Sequence, residues 1–471
     1  MSVAVVRGRD TIVMKGYGLA DVENDVAATA QSVYRIGSIT KQFTAAAVMQ
    51  LVEQNKVSLD DSIGKHLPHL AARWHGATIR QLLNHTSGIP SYTGAGPRWT
   101  NRMREDLAHD SLLAIVAGDT LDFAPGSQWR YNNTGYYLLG MLIERVAGRS
   151  YADDVRERFA KPLGLTSTLY CETQPIIKRR AQGYQVGPDK KLVNAAPLSM
   201  RQPFSAGALC STVGDLVAWQ RALAAGRVVK PGSYSAMTTA EGAAVGSRYG
   251  FGLASDTLAG RTSVEHGGGI NGFNSMLTFF PSDTLSIAVL GNTNGPWVNR
   301  VADNIARAAL RVPLTAPLLR IPGMIEGESL LETASVTAGE LRVQDMGGFE
   351  PDSGRWSGGT QLWWVLSRPG ARLTLDLRAP TAGTYELVGY FTRAQDYGDV
   401  RLDINGRALS PIVRGYSPTV EPTGPVSFGR VPLRVGSNTL TVEIVGKDAR
   451  SQGYSDGYLV GIDGFVIRRA Q

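Results

Sequence analysis

The sequence predicts an α+β protein: a mostly antiparallel sheet flanked by helices, carrying a helical insertion, followed by an all-β sandwich. Three observations carry this. Strand pairs stand at both ends of residues 1–311, with helical periodicity between them. A Pro- and Gly-bearing stretch at 312–325 then interrupts the pattern. Beyond it, residues 326–471 alternate as strands do and carry no helical period.

The first hairpin pairs Ser2–Val6 with Thr11–Met14 around a turn at Gly8–Asp10. A helix is expected from Ser38 to about Glu53, and further ones over Thr134–Ala147, Tyr151–Ala160 and Thr212–Ala224. Strands return at Ser275–Phe280 and Leu285–Leu290 about a Pro281–Asp283 turn, and a helix follows over Trp297–Leu310. In the last part, strand patterns cover Gln361–Leu366, Arg372–Leu377, Thr384–Phe391, Val400–Ile404, Val426–Leu433, Thr439–Val445 and Leu459–Ile467.

Bulk properties narrow the function. The 471 residues are 43% hydrophobic and 19% charged, a globular composition for two or three domains. No apolar run is long enough to span a membrane. The net charge of +7 is scattered rather than gathered on one face, which argues against nucleic acid as a partner. Cys171 and Cys210 are the only cysteines, too few for a disulfide framework or a thiolate zinc site. Two buried free thiols are expected, with a single disulfide as the alternative. The chain opens directly at a strand and shows no charged, apolar and cleavage regions of a leader. Trimming of the mature protein or an upstream start accounts for this.

The chemistry is concentrated in Tyr34-Arg-Ile-Gly-Ser-Ile-Thr-Lys-Gln-Phe-Thr44. Ser38 and Lys41 lie three residues apart, on one face of an otherwise apolar helix. An ammonium buried there is costly unless paired or neutralised, and a desolvated lysine acts as a base. A serine at a helix N-terminus also meets the positive end of the dipole. These are conditions for an activated nucleophile. A second Ser-x-x-Lys, Ser62–Lys65, contains Gly64 and reads as a loop with a solvated lysine. Tyr131-Asn-Asn133 is the only Tyr-x-Asn in the chain, and His266-Gly-Gly-Gly269 holds the only His-x-Gly. Asn133 read alone is a helix cap, and the glycine run a bulge or turn.

In this order the three motifs resemble the penicillin-recognising serine hydrolases, the β-lactamase-like group of class-C β-lactamases, D-alanyl-D-alanine carboxypeptidases, D-aminopeptidases and family VIII esterases. Arg80–Pro90, Tyr131–Gly140 and Ser205–Asp215 fit the same resemblance, which covers residues 1–311. It implies that Ser38 is acylated, that Lys41 is its base and that Tyr131 shuttles protons. It implies that Asn133, His266, Gly268 and Gly269 bind substrate, with the backbone N–H groups of Ser38 and Gly269 as oxyanion hole. It also implies a periplasmic or secreted location, although no export signal is visible. The substrate expected is a small molecule or peptide: a D-amino-acid amide or peptide, a small ester or, less well, a β-lactam. Where β-lactamases carry Lys-Thr-Gly, this chain has His266, and a neutral imidazole is a weaker anion site. Family members also begin with a helix packed on the sheet, so a bare sheet face is expected here.

The other histidines are expected to be structural, His85 bonding to backbone in a turn, with no metal at His66, His69 and His75. Residues 326–471 resemble galactose-binding-like jelly rolls, as in carbohydrate-binding modules. This implies a cell-wall or other glycan as partner if Trp363 or Trp364 is exposed, and a structural Ca²⁺, though no ligand spacing specifies one. No other cofactor is expected. The rival to an enzyme is a non-catalytic penicillin- or glycan-binding protein.

Overall fold

The structure is a computed structural model that describes residues 1–187, 191–295, 297–312, 320–346, 355–452 and 454–470. It forms two compact units, Met1–Val312 and Pro313–Gln471. Much of the segment expected as a linker, 313–319, lies outside the described residues.

The first unit is built on a six-stranded antiparallel sheet. Its strands are β1 (Ser2–Arg7), β2 (Asp10–Gly16), β3 (Ala254–Leu258), β4 (Arg261–Ile270), β5 (Phe273–Phe280) and β6 (Leu285–Gly291), in the order β3-β4-β5-β6-β1-β2. Strand β6 is buried along its whole length, as its unbroken apolar run requires of a strand covered on both faces. On one face, helix α4 (Trp297–Leu310) packs Val298, Ala302, Ala306 and Leu310 against Val3, Val5, Ile287 and Val289. The expected bare face is therefore covered over the central strands. Exposure falls on the edge strand β2, where Ile12 is 53% and Met14 38% accessible.

The other face carries the helical insertion. Helix α1 (Thr40–Glu53) is buried on nearly all sides, because Ala45, Ala46 and Ala47 let neighbours approach its backbone. Phe43 on α1 stacks on Trp219 of α3 (Val213–Ala224), ring centroids 3.8 Å apart. Helix α2 (Asn133–Ala147) is capped by Asn132, whose side chain accepts from the Gly135 N–H at 2.7 Å, and it ends at Gly148 in the left-handed region. The helix expected over Tyr151–Ala160 forms as Tyr151–Val155 followed by a π turn. Ser62–Lys65 is not a loop throughout: Ile63–His66 make one helical turn. Lys65 is nevertheless solvated and paired with Asp61.

The second unit contains two antiparallel sheets. One runs Glu340–Asp345, Thr360–Val365, Val460–Arg469, Gly383–Arg393, Glu421–Leu433, with Met324–Glu326 added beside Val460–Arg469. The other runs Ser335–Val336, Arg372–Ala379, Gly436–Gly446, Asp399–Ile404, Arg407–Ala408. Alternate residues of both, among them Leu362, Leu375, Leu387, Leu402, Val442 and Ile462, share one apolar core.

The cysteines are not free thiols. Cys171 and Cys210 form a disulfide across a sequence separation of 39. Both sulfurs lie in a small apolar cluster beside the strand pair that holds Leu209–Ser211 against Leu169–Tyr170. Closing a loop of this length restricts the unfolded chain by about 4 kcal/mol at 25 °C. Replacing both cysteines by alanine is expected to lower the denaturation free energy of the first unit by up to about that amount. Urea titration of the oxidised protein and the double variant measures it.

Candidate active site

Ser38 lies in the short 3₁₀ turn Gly37–Ile39 that leads into α1. Gly37 holds φ at +50°, and a β-carbon there would come within 3.0 Å of the Gly269 backbone nitrogen. Glycine satisfies both demands at once. The nucleophile's turn thus lies directly against β4. Strand β3 pairs with β4 only over Arg261–Glu265, which leaves the far end of β4 unpaired on that side. A cavity of about 220 Å³ opens there, lined by Ser38, Asn133 and Gly269 among others.

Lys41 is fully buried, and its ammonium nitrogen sits at the centre of the site. Nζ lies 3.1 Å from Ser38 Oγ, 2.9 Å from Asn133 Oδ1 and 2.8 Å from the Ala206 carbonyl oxygen. No carboxylate is among these partners. Burial pushes the Lys41 pKa well below that of a free lysine, which favours the uncharged amine. An uncharged amine has two N–H groups and one lone pair. The Asn133 and Ala206 oxygens can only accept, so they take the two N–H groups. In that form the 3.1 Å contact in which Nζ otherwise donates to Ser38 Oγ is reversed, and the lone pair accepts the Ser38 hydroxyl proton. That is the arrangement of a base poised on a nucleophile.

Asn133 is oriented by its own contacts. Its Nδ2 donates to Thr93 Oγ1 at 3.0 Å, and its backbone N–H donates to Ser91 Oγ at 3.2 Å. With the amide's N–H₂ fixed on Thr93, the oxygen is aimed at Lys41. The capping role read for Asn133 belongs to Asn132, and that displacement frees Asn133 for the site. The paired asparagines were the available signal; Thr93 had none.

Tyr131 stacks beneath the amine, its ring centroid 4.7 Å from Lys41 Nζ. The phenol oxygen is buried and meets no partner at full hydrogen-bond geometry, with Ser38 the hydroxyl that faces it. Burial raises its pKa above that of a free tyrosine, against a smaller opposing effect of Ser38, so the O–H stays protonated near neutrality.

The structure brings Ser38, Lys41, Tyr131, Asn133 and Gly269 together. His266 and Gly268 lie beside the cavity without lining it. His266 is 7% exposed. Its Nδ1–H donates to the Gly267 carbonyl at 2.6 Å, and its Nε2 accepts from the Tyr249 hydroxyl at 2.8 Å. Burial, with Lys41 close by, pushes its pKa down to about 3, so it is neutral. Gly268 faces inward: a β-carbon there would lie 2.0 Å from the Ile36 oxygen and 2.3 Å from Ser275 Oγ. Its role is to let β4 pass under the nucleophile's turn.

Two residues behind the site escaped the sequence reading as site residues. His85 has φ at +65° and accepts the Asn132 N–H on Nδ1 at 3.2 Å, a backbone bond. Its ring also packs 4.4 Å from the Tyr131 ring and 4.6 Å from that of Tyr249. Tyr249 itself bonds His266. Neither carries a motif of its own. Among the described residues no three His, Cys, Asp or Glu side chains are gathered so as to hold a metal ion.

Fold and site geometry are those of the superfamily that holds the β-lactamase-like and penicillin-binding-protein-like serine hydrolases. The Beta-lactamase family description matches residues 1–311, and the chain belongs to that family. Protein flp of Staphylococcus aureus (strain N315) is 30% identical over 314 residues, 64% of this chain; the match spans 61% of that relative's length. Among solved structures, a D-stereospecific amidohydrolase from Streptomyces sp. is 32% identical with a TM-score of 0.54, over 62% of this chain and 88% of its own. An octameric penicillin-binding protein homologue from Pyrococcus abyssi, 22% identical with a TM-score of 0.60, covers 93% of this chain and 95% of its own and shares the fold.

The buried neutral amine has a stability cost with a definite sign. Between the lowered native pKa and the unfolded value, the unfolded chain binds a proton at Lys41 that the native state does not. Stability therefore rises with pH through that window, by at most about 1.4 kcal/mol per unit. Lys41→Met is expected to abolish turnover, to be more stable than the parent at pH 7, and to lose that advantage as the pH approaches 10. Paired denaturation curves across this range test it.

Proposed function

We propose that this chain cleaves amide or ester bonds through an acyl-Ser38 intermediate. The lone pair of Lys41 facing Ser38 Oγ supports this most directly. As Ser38 attacks the carbonyl, Lys41 takes its proton. The backbone N–H groups of Ser38 and Gly269 receive the oxyanion, a contribution on the order of a hundredfold or more in rate per donor. Tyr131, still protonated, passes its proton to the leaving nitrogen or oxygen and is refilled from Lys41. Water then enters along the reverse route and releases the acid.

The substrates proposed are D-amino-acid amides or peptides and small esters, ahead of β-lactams. The neighbouring D-stereospecific amidohydrolase and D-amino acid amidase support the amide class. The neutral His266 supports the ranking, since no cation stands at the third motif to anchor a β-lactam carboxylate. A purely binding role is disfavoured by the unbroken path from Ser38 to Lys41 and by Tyr131. A periplasmic or secreted setting is proposed, in keeping with a disulfide that persists where conditions are oxidising. For the second unit, Trp364 lies in the core with its Nε1 on the Ala338 oxygen, so it offers no platform for a glycan.

A structural Ca²⁺ in the second unit is also proposed, at Glu326, Glu328 and Asp463. Asp463 is 2% exposed, and Asp463 Oδ1, Glu326 Oε2 and Glu328 Oε2 are buried without partners. Their other oxygens accept from the Ser357 N–H, the Ser357 hydroxyl and the Thr360 hydroxyl, so all three border one turn. As they stand they do not close on a common point, and a cation would have to draw them together. Burial first, then the two glutamates, push Asp463 up to about 7. A native carboxyl that holds a proton lost on unfolding makes stability fall as pH rises from 4 towards 7, unless a cation replaces the proton.

Two experiments test these readings. A slow ester or D-amino-acid amide should leave an acyl adduct on Ser38 by peptide mass mapping, and Ser38→Ala should lower turnover by a factor on the order of a thousand or more. An adduct elsewhere defeats the mechanism. Millimolar Ca²⁺ should raise the unfolding temperature at pH 7.5 relative to chelator, and Asp463→Asn should remove the response. An equal melting temperature in Ca²⁺ and chelator defeats the metal site.

A further inference from the structure

The wall of the cavity beside Ser38 carries more information than its depth. No described residue that lines it is charged. Tyr92, Trp99, Leu198, Pro203 and Ile270 give it an apolar side, and Thr93, Asn133 and Asn271 a neutral polar one. The two aromatic rings meet edge to face, centroids 5.8 Å apart. Their polar ends are turned away from the cavity and held by one residue. The Tyr92 hydroxyl donates to the Gln202 carbonyl at 2.8 Å, and Trp99 Nε1 donates to Gln202 Oε1 at 2.8 Å. Gln202 is itself fully buried, and its Nε2 donates to the Arg102 and Glu105 carbonyls at 2.6 and 2.8 Å.

Two arginines on the segments beside the cavity are paired with carboxylates. Arg102 pairs with Glu105 at 2.8 Å, and Arg98 with Asp119 at 2.7 Å. Within the site, burial holds His266 neutral and favours the neutral form of Lys41. A substrate that brought an ammonium or a carboxylate next to its reacting carbonyl would have to desolvate that ion in a cavity whose lining offers it no counter-ion. Such burial is strongly unfavourable.

We propose that this pocket selects an uncharged, apolar acyl group: esters of apolar carboxylic acids and N-capped D-aminoacyl amides, in preference to substrates with a free α-ammonium or a terminal carboxylate. Gln202 is the positioning residue that fixes the aromatic wall. This rests on the acyl-Ser38 reading and narrows it.

The test uses matched pairs and the whole chain. N-acetyl-D-phenylalanine p-nitroanilide is compared with D-phenylalanine p-nitroanilide at pH 6.5, and p-nitrophenyl butyrate with mono-p-nitrophenyl succinate. Each rate is divided by the uncatalysed one. The neutral member should lead in kcat/KM by at least about tenfold in each pair. Trp99→Glu should reduce the penalty on the free ammonium several-fold. Gln202→Met should raise KM for the aromatic acyl group several-fold more than for p-nitrophenyl acetate; equal loss on both would mark Gln202 as merely structural. A fluorophosphonate label separates the two levels of failure. If Ser38 does not take the label, the acyl-enzyme reading falls. If Ser38 labels and the charged members match or exceed the neutral ones, or neither member reacts, the pocket assignment is wrong. The matched pairs on the unmodified protein decide this even where a variant does not fold.

Discussion

The constraint on which this molecule turns is one amine held away from water. Lys41 has no carboxylate partner and no exposure, and its three neighbours are a hydroxyl, an amide oxygen and a backbone carbonyl. A permanent ammonium could not stay in this setting without a counter-ion. The native state therefore contains a free base, and it contains it next to the hydroxyl that needs one. The same burial that makes the residue reactive works against stability, so the surrounding packing has to supply more than it would around a methionine.

That packing uses several close backbone approaches. Gly37 brings the nucleophile's turn onto Gly269, and Gly268 lets the same strand pass beneath Ile36. Gly252, with φ at +72°, brings its segment so near to α1 that a β-carbon would meet the Lys41 carbonyl at 2.6 Å. Each contact holds backbone that carries or adjoins a site residue. Helix α2 brings Asn133 to the amine, because Asn132 rather than Asn133 takes the cap. The chemistry is thus set by where backbones meet, and the reactive side chains fill the space that is left.

This explains what could be read from the sequence. Ser38, Lys41, Tyr131 and Asn133 announce themselves because reactive residue types stand in fixed spacing within motifs. Strands β1, β2, β5 and β6 and most strands of the second unit were legible from alternation and the long helices from their period, whereas β3 and β4, glycine-rich and polar, were not. Gly268 and His266 lie beside the cavity rather than on its lining, because a motif tells which residues travel together, not which way each faces along a strand. His85, Thr93, Tyr249 and Gln202 were silent because they act through contacts between segments far apart in the chain. The cysteine pair was ambiguous for the same reason: two residues 39 apart meet only because a strand returns to that place.

The site's groups also share one electrical property. Lys41 is a neutral amine, His266 a neutral imidazole and Tyr131 a neutral phenol, each held so by burial. A proton leaving Ser38 can therefore move to Lys41, and from Lys41 through Tyr131 to a leaving group, with charge created only in passing. Such a circuit works best when no fixed ion stands beside it, because a nearby charge would shift every one of these pKa values together. An acyl pocket without ionic groups protects the circuit as well as choosing the substrate. A substrate ion brought into that pocket would disturb both, which links specificity and proton transfer through a single electrostatic condition.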